Sequence, residues 1–254
     1  MTQSPLEKAI YLPSQESKIG VLLLHAYTGT PKDVHLIGRK INRAGFGVLC
    51  PLFEGHWTSD IEDIWAADPQ TWLLNAQEAL EWLKGEGYEE IIVFGLSMGG
   101  IMATALLSNP ANQLLAGGVF NSPVVTTEPI DVSESFMAYA KFLYKEANKL
   151  EQFATDEADI LAKHLAQVEK LDALKNSLAV KLPEIDRPFY IAQSGQDQLI
   201  EADDVFELQE ALVNARIDFN WFADNTHVIT VDRQRSEFEQ SVLHFIEENT
   251  YMKK

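Results

Sequence analysis

The sequence predicts an α/β fold with a mostly parallel central sheet and helices on both faces, and three observations carry that expectation. From residue 9 onward, short β-rich runs alternate with longer helical patterns, as in chains of β-α-β units. One run, Glu90 to Phe94, is almost continuously apolar, as a central parallel strand covered on both faces requires. That run leads straight into Gly95-Leu96-Ser97-Met98-Gly99-Gly100, a glycine-rich turn placed to open a helix.

Taken in order, Ala9 to Leu12 and Lys18 to Leu24 read as the first strands, Asp33 to Ala44 as a helix closed by Gly45, and Phe46 to Cys50 as a strand stopped by Pro51. The next helix is well marked. Asp68 is a good N-cap, Pro69 sits where its missing N–H costs nothing, and Trp72, Leu73, Ala76, Leu80 and Leu83 make one apolar stripe before Gly85. After the Glu90 strand and the helix that follows it, which ends near Asn109-Pro110, Leu114 to Phe120 is a second buried run. Between Pro123 and Pro183 the β character vanishes, giving a helical insertion with Phe136, Met137, Tyr139, Phe142 and Tyr144 crowded into nine residues. Strands resume at Arg187 to Gln193 and Asp218 to Ala223, separated by a helix capped by Asp203 or Asp204 and running to Asn214. An amphipathic helix from Asp232 to Glu248 closes the chain, with Phe238, Val242, Phe245 and Ile246 on one face. The expected division is therefore a core of residues 1–122 and 184–254 with a small helical cap of residues 123–183.

Composition narrows the function. The 254 residues carry 20 Lys plus Arg against 38 Asp plus Glu, a formal charge of −18, with 46% apolar residues. Such acidity argues against nucleic acid and anionic membrane as partners, because both need clustered basic side chains. A lone Cys50 supplies neither a disulfide frame nor a cysteine zinc site, and reads as a small buried hydrophobe. No run reaches the roughly 18 apolar residues of a spanning helix, and the first residues lack a basic flank followed by an apolar stretch. The expectation is a cytoplasmic protein acting on a small molecule; oligomeric state is not readable.

Gly95 to Gly99 matches Gly-x-Ser-x-Gly in the strand-to-helix context where that pattern carries chemistry. A sharp turn there strains the serine backbone, so its neighbours must lack bulk, while the helix N-terminus aims N–H groups at a developing oxyanion. Serine needs a base and an orienting acid later in the chain. Of six histidines, His25 and His56 precede the serine, His35 and His244 fall on expected helices, and His164 falls in the insertion. Imidazoles on the helices and in the insertion are expected to be solvated or structurally satisfied. His227 follows the last strand in a loop at the carboxyl end of the sheet, where open α/β folds bind ligands. By the same test Asp197, in the Ser194-Gly195-Gln196-Asp197 turn, is preferred as the acid over Asp186, which precedes its strand, and over the cap residues Asp203 and Asp204. Asp224 remains a competitor. The Met98 N–H and the Tyr27 N–H, at the end of an early central strand, are the candidate oxyanion donors.

With Leu22-Leu23-Leu24-His25-Ala26-Tyr27-Thr28-Gly29, Glu54-Gly55-His56, the Gly95–Gly100 turn, Gly195-Gln196-Asp197 and Thr226-His227-Val228-Ile229-Thr230 in sequence, the chain resembles the α/β-hydrolase superfamily. Within it the likeness is to small bacterial carboxylesterases related to monoacylglycerol lipases, over about Ile19 to Ile246. The resemblance implies hydrolysis of short- to medium-chain acyl esters without cofactor or metal, a helical cap, Ser97 as nucleophile, His227 as base and Asp197 as acid, with Tyr27 and Met98 as oxyanion donors. The alternatives are a monoacylglycerol lipase, thioesterase or amide hydrolase on the same triad, because the fold does not choose the leaving group, or a non-catalytic hydrolase-like binding module. The chain departs from the family pattern in three places: Ala26 stands where glycine usually follows the histidine, Trp57 where glycine follows His56, and Asn225-Thr226 where small residues precede the base. Trp57 is expected near the mouth of the site, with Phe136 and Tyr139 over an acyl pocket.

Overall fold

The structure, a computed structural model, describes residues 4–251. Its strands are β1 (Ile10–Leu12), β2 (Ile19–Leu24), β3 (Gly47–Cys50), β4 (Glu90–Leu96), β5 (Ala116–Phe120), β6 (Pro188–Ser194) and β7 (Arg216–Phe222). They form one sheet in the order β1-β3-β2-β4-β5-β6-β7, in which β1 is antiparallel to β3 and the other pairs are parallel. From β2 the chain steps outward to β3, then returns past β2 to place β4 on its other side. The carboxyl ends of β2 and β4 therefore flank the point where strand order reverses, the place where ligands bind in such sheets.

Both faces of the sheet are covered, as the alternating side chains require. Leu22, Leu24, Val93, Val119, Phe189 and Ile191 point into one buried cluster with helices α3 (Pro69–Gly85), α4 (Met98–Leu107) and α7 (Asp204–Ala211). Val21, Leu23, Ile92, Phe94, Phe120 and Tyr190 point into the other, against α1 (His35–Arg43) and α8 (Arg235–Tyr251). Asp68 caps α3 as the sequence indicates, its carboxylate accepting the Thr71 N–H at 2.9 Å.

Several boundaries move. Asp33 lies in a 3-10 turn (Pro31–Asp33) ahead of α1, and its carboxylate accepts the Thr30 N–H at 3.2 Å. A short helix α2 (Glu62–Ala66) comes after the Gly55 turn, unheralded because five residues hold little more than one helical repeat. Asp203 occupies the N-cap position of α7 without making a cap bond, whereas the Asp204 carboxylate accepts from the Thr127 hydroxyl at 2.9 Å. Asp232 does not start α8. Its carboxylate instead accepts both the N–H and the hydroxyl of Thr226, at 3.0 and 2.9 Å, which braces the loop carrying His227.

Segment 123–183 folds as α5 (Ser133–Glu146) and α6 (Leu150–Ala179), with a short 3-10 turn at Leu182–Glu184. Its buried side chains Phe136, Phe153, Ile160 and Leu171 join the same apolar cluster as α3 and α4, so the segment has no separate core. Gln167 of α6 secures it further, its amide donating to the Ala67 carbonyl at 2.8 Å.

Candidate active site

Ser97 stands between β4 and α4 with φ 52° and ψ −121°, a backbone region that a non-glycine residue enters only under local constraint. The constraint is visible. A methyl group on Gly95 would lie 2.0 Å from the Gly99 carbonyl, and one on Gly99 would lie 2.3 Å from the Leu24 carbonyl, so the turn closes only on glycine. The Ser97 N–H donates to the Phe120 carbonyl at 2.9 Å and fixes the turn against β5. As at any helix start, the first amides of α4, Met98 among them, have no acceptor within the helix.

The loops after β6 and β7 deliver the other two groups. Nδ1 of His227 lies 2.8 Å and 2.9 Å from the two carboxylate oxygens of Asp197, and both side chains are almost wholly buried. Asp197 also accepts the Leu199 and Ile200 amides, at 2.9 and 3.1 Å, so its orientation is set independently of the histidine. Asp224 is exposed, and the carboxylate paired with His227 is that of Asp197. Ser97 and His227 line one cavity of about 230 Å³, together with Tyr27, Asp33, Phe136 and Leu199 among others. Among the described residues the Ser97 hydroxyl has no hydrogen-bond partner.

The segment after β2 forms the opposite wall. The Gly29 N–H donates to the Ala26 carbonyl at 3.1 Å, closing a turn with Tyr27 and Thr28 at its centre, and Thr28 adopts φ 59°. A β-branched residue in the left-handed region is strained, so this turn is held from outside. His25 holds part of it: one ring nitrogen donates to the Ala26 carbonyl at 2.8 Å and the other accepts the Phe53 N–H at 3.0 Å. Burial and the neighbouring His56 keep His25 neutral, well below the usual histidine range. Asp33 lies beneath the turn, where burial pushes its carboxyl up to about 6 against hydrogen bonds from the Thr30 and Ala26 amides.

The expected pocket residues divide. Phe136 lines the cavity, stacked 4.0 Å from the ring of His164, which in turn lies against Tyr27. His164 is therefore no solvated helix residue: it is fully buried, and burial lowers it to about 4. Tyr139 packs beside the main cluster without lining the cavity. Trp57 does not line it either: its ring is partly exposed and lies 4.8 Å from the Lys32 ammonium. Nothing in the motif pattern singles out Asn121 and Ser122, whose side chains bond to the loops of all three candidate groups; the Asn-Ser-Pro turn signal after β5 is their only trace in the sequence.

A parallel sheet that changes strand order beside a strained strand-to-helix serine defines an α/β-hydrolase. Residues 15–177 match the family described as serine aminopeptidase, S33 (Hydrolase_4), and the chain belongs to that family. It is 27% identical to a carboxylesterase of Bacillus subtilis (strain 168) over 235 residues, covering 89% of this chain and 92% of the relative. A shorter stretch of 93 residues, 37% of this chain and 36% of the relative, is 34% identical to a thermostable monoacylglycerol lipase of Bacillus sp. (strain H-257). Among solved structures, one from the metagenome-derived lipolytic enzymes LipS and LipT aligns with a TM-score of 0.74 at 19% identity, over 96% of this chain and 98% of that one. The monoacylglycerol lipase of Paleococcus ferrophilus aligns with a TM-score of 0.70 at 14% identity, over 95% and 98%. Among the described residues no helix is long and apolar enough to cross a membrane, and no group of three or more His, Cys, Asp or Glu side chains could hold a metal ion.

Proposed function

We propose that the protein is a serine carboxylesterase that hydrolyses short- to medium-chain acyl esters, with Ser97 as nucleophile, His227 as base and Asp197 as orienting acid. At the coarser level the chain is a carboxylic ester hydrolase, in keeping with its family and with its carboxylesterase relative. The observation that carries the finer reading is the meeting, in one cavity, of a serine held on a strained turn and an imidazole already paired with a buried carboxylate.

In this reading His227 takes the Ser97 proton as the oxygen attacks the ester carbonyl, and Asp197 holds the ring so that its other nitrogen faces the serine. The contact between Ser97 and His227 closes as substrate enters, as such bonds commonly do. Charge that develops on the carbonyl oxygen is met by the Met98 and Tyr27 amides. Collapse expels the alcohol, protonated by His227, and leaves Ser97 acylated; water then repeats the sequence and releases the acid. Segment 123–183 acts as a cap, with Phe136 as an apolar wall for the acyl group.

The test is labelling of the purified protein with an active-site-directed fluorophosphonate. The wild type should be labelled and Ser97→Ala should not, and p-nitrophenyl esters should be turned over faster than matched thioesters and anilides. Equal labelling of Ser97→Ala would overturn the assignment of the nucleophile.

A further inference from the structure

Three successive residues at the end of β5 touch the backbone on which each of the three proposed catalytic groups is mounted. The Phe120 carbonyl accepts the Ser97 N–H at 2.9 Å, and the Ser122 hydroxyl donates to the Ser97 carbonyl at 2.6 Å. Between them Asn121, with no exposed surface and φ 43°, turns its side chain the other way, toward β6 and the His227 loop. Its Oδ1 accepts the Ser194 N–H at 2.8 Å; its Nδ2 donates to the His227 carbonyl at 2.6 Å, to the Ser194 hydroxyl at 2.8 Å and, more weakly, to the Thr226 carbonyl at 3.2 Å.

The two ends of this amide cannot be exchanged. A main-chain N–H must meet the oxygen and two main-chain carbonyls must meet the nitrogen, so the network itself fixes the orientation. Ser194 ends β6 three residues before Asp197, and His227 is the proposed base itself. We propose that Asn121 is a positioning residue that holds the loops of His227 and Asp197 in register with the Ser97 turn. This rests on the triad reading above and adds a part that the sequence motif does not contain.

A satisfied turn residue is the competing account, since asparagine tolerates the left-handed region better than most side chains. That account explains φ but not why every hydrogen bond of the side-chain amide goes to the end of β6 or to the His227 loop. It also makes a different prediction, because glycine accepts the same φ and would replace a mere turn residue without loss. Registration demands the amide itself. A displacement of about 1 Å in a reacting group can cost on the order of 10²-fold in rate.

The experiment uses the full chain with Asn121→Asp, which is isosteric but sets a carboxylate oxygen against the Thr226 and His227 carbonyls, and Asn121→Gly, which deletes the side chain at a compatible φ. Both are assayed with p-nitrophenyl butyrate, and the low-field proton resonance of the His227–Asp197 hydrogen bond is followed by NMR. The expected result is a kcat lowered roughly tenfold to a hundredfold at unchanged KM, with that resonance shifted or broadened. Where Asn121→Asp fails to fold, the glycine variant decides. A folded variant with kcat within twofold of wild type, or an unchanged resonance, overturns the proposal. Ser97→Ala run alongside separates the two levels: if it is inactive while the Asn121 variants are not, the positioning role fails and the triad stands; if it is active, the triad itself fails.

Discussion

The carboxyl edge of the sheet and the helical segment 123–183 face each other across the same cavity, and they are built to opposite tolerances. At the edge, backbones approach so closely that Gly95 and Gly99 admit no methyl group, and Asp197 and Asn121 spend their polar atoms on named main-chain partners. In the helical segment neither α5 nor α6 begins with a side-chain cap bond, and Phe142 and Leu165 lie about half exposed. Chemistry that depends on tenths of an ångström belongs on the first kind of surface, and a wall that shapes a pocket can be made from the second. Substitutions should therefore act on rate at the edge and on substrate preference in the helical segment.

The largest effects are expected at the edge. Ser97→Ala or His227→Ala should each lower kcat on the order of 10⁴- to 10⁶-fold, with the double variant little worse, because such groups act as a unit. A folded single variant retaining a tenth of wild-type esterase activity would break the comparison at its strongest point. Next comes the acid: Asp197→Asn should cost roughly 10⁴ in kcat by leaving the imidazole in the wrong tautomer. Asp224→Asn, at an exposed position in the same region, should stay close to wild type. Activities of the two purified variants on one ester decide between them.

The two regions also differ in how far the sequence discloses them. The order of strands and helices along the chain is legible because the alternation of buried runs with helical stripes is local, and Gly95–Gly99 announces its turn by composition. Boundaries slip where a polar residue finds a tertiary partner that outweighs its local role, as Asp204 does with Thr127 and Asp232 with Thr226. Trp57 fills a motif position that points to the pocket, but its ring sits by the Lys32 ammonium, a tertiary contact that sequence spacing does not disclose. Asn121 is less legible still, since its bond to His227 spans 106 residues. In segment 123–183 composition yields the helices but not which aromatic faces inward, so Phe136 and Tyr139 look alike until they are packed.

A smaller effect should appear where the regions meet. His164 of α6 and His56 are both buried and held down to about 4, with desolvation the main cause. Their folded values lie below the ordinary histidine value, so the stability they permit is complete above about 6.5 and is lost as pH falls toward about 4. Asp33 has the opposite sign: its raised value of about 6 means that protonation between about 6 and 4 favours the folded state. Thermal melts of wild type and His164→Phe across pH 7 to 4 resolve the contribution of the α6 contact. The variant keeps an aromatic ring against Phe136 and should lose less Tm over that window. An identical acid loss in both proteins would mean that His164 does not sense pH.

The smallest effects on turnover, and the sharpest test of the contrast, concern two phenylalanines less than two helical turns apart on α5. Phe136 is buried and lines the cavity with Ser97, whereas Phe142 is 54% exposed and away from it. A methylene accommodated in an apolar pocket is worth roughly 1 to 3 kcal/mol in kcat/KM until the pocket is full. A cavity of about 230 Å³ has a finite capacity, so kcat/KM should rise over the early members of a p-nitrophenyl ester series and then level or fall. Truncating Phe136 removes part of the wall that sets this limit. Phe136→Ala should therefore move the optimum to longer chains while costing about 3 to 5 kcal/mol of stability, the usual range for a buried phenylalanine, so melts must accompany the kinetics. Phe142→Ala should leave the optimum and the Tm near wild type. If Phe136→Ala lowers kcat equally for every chain length without moving the optimum, Phe136 is packing that supports the Tyr27 turn, and specificity is set by the edge instead of the helical segment.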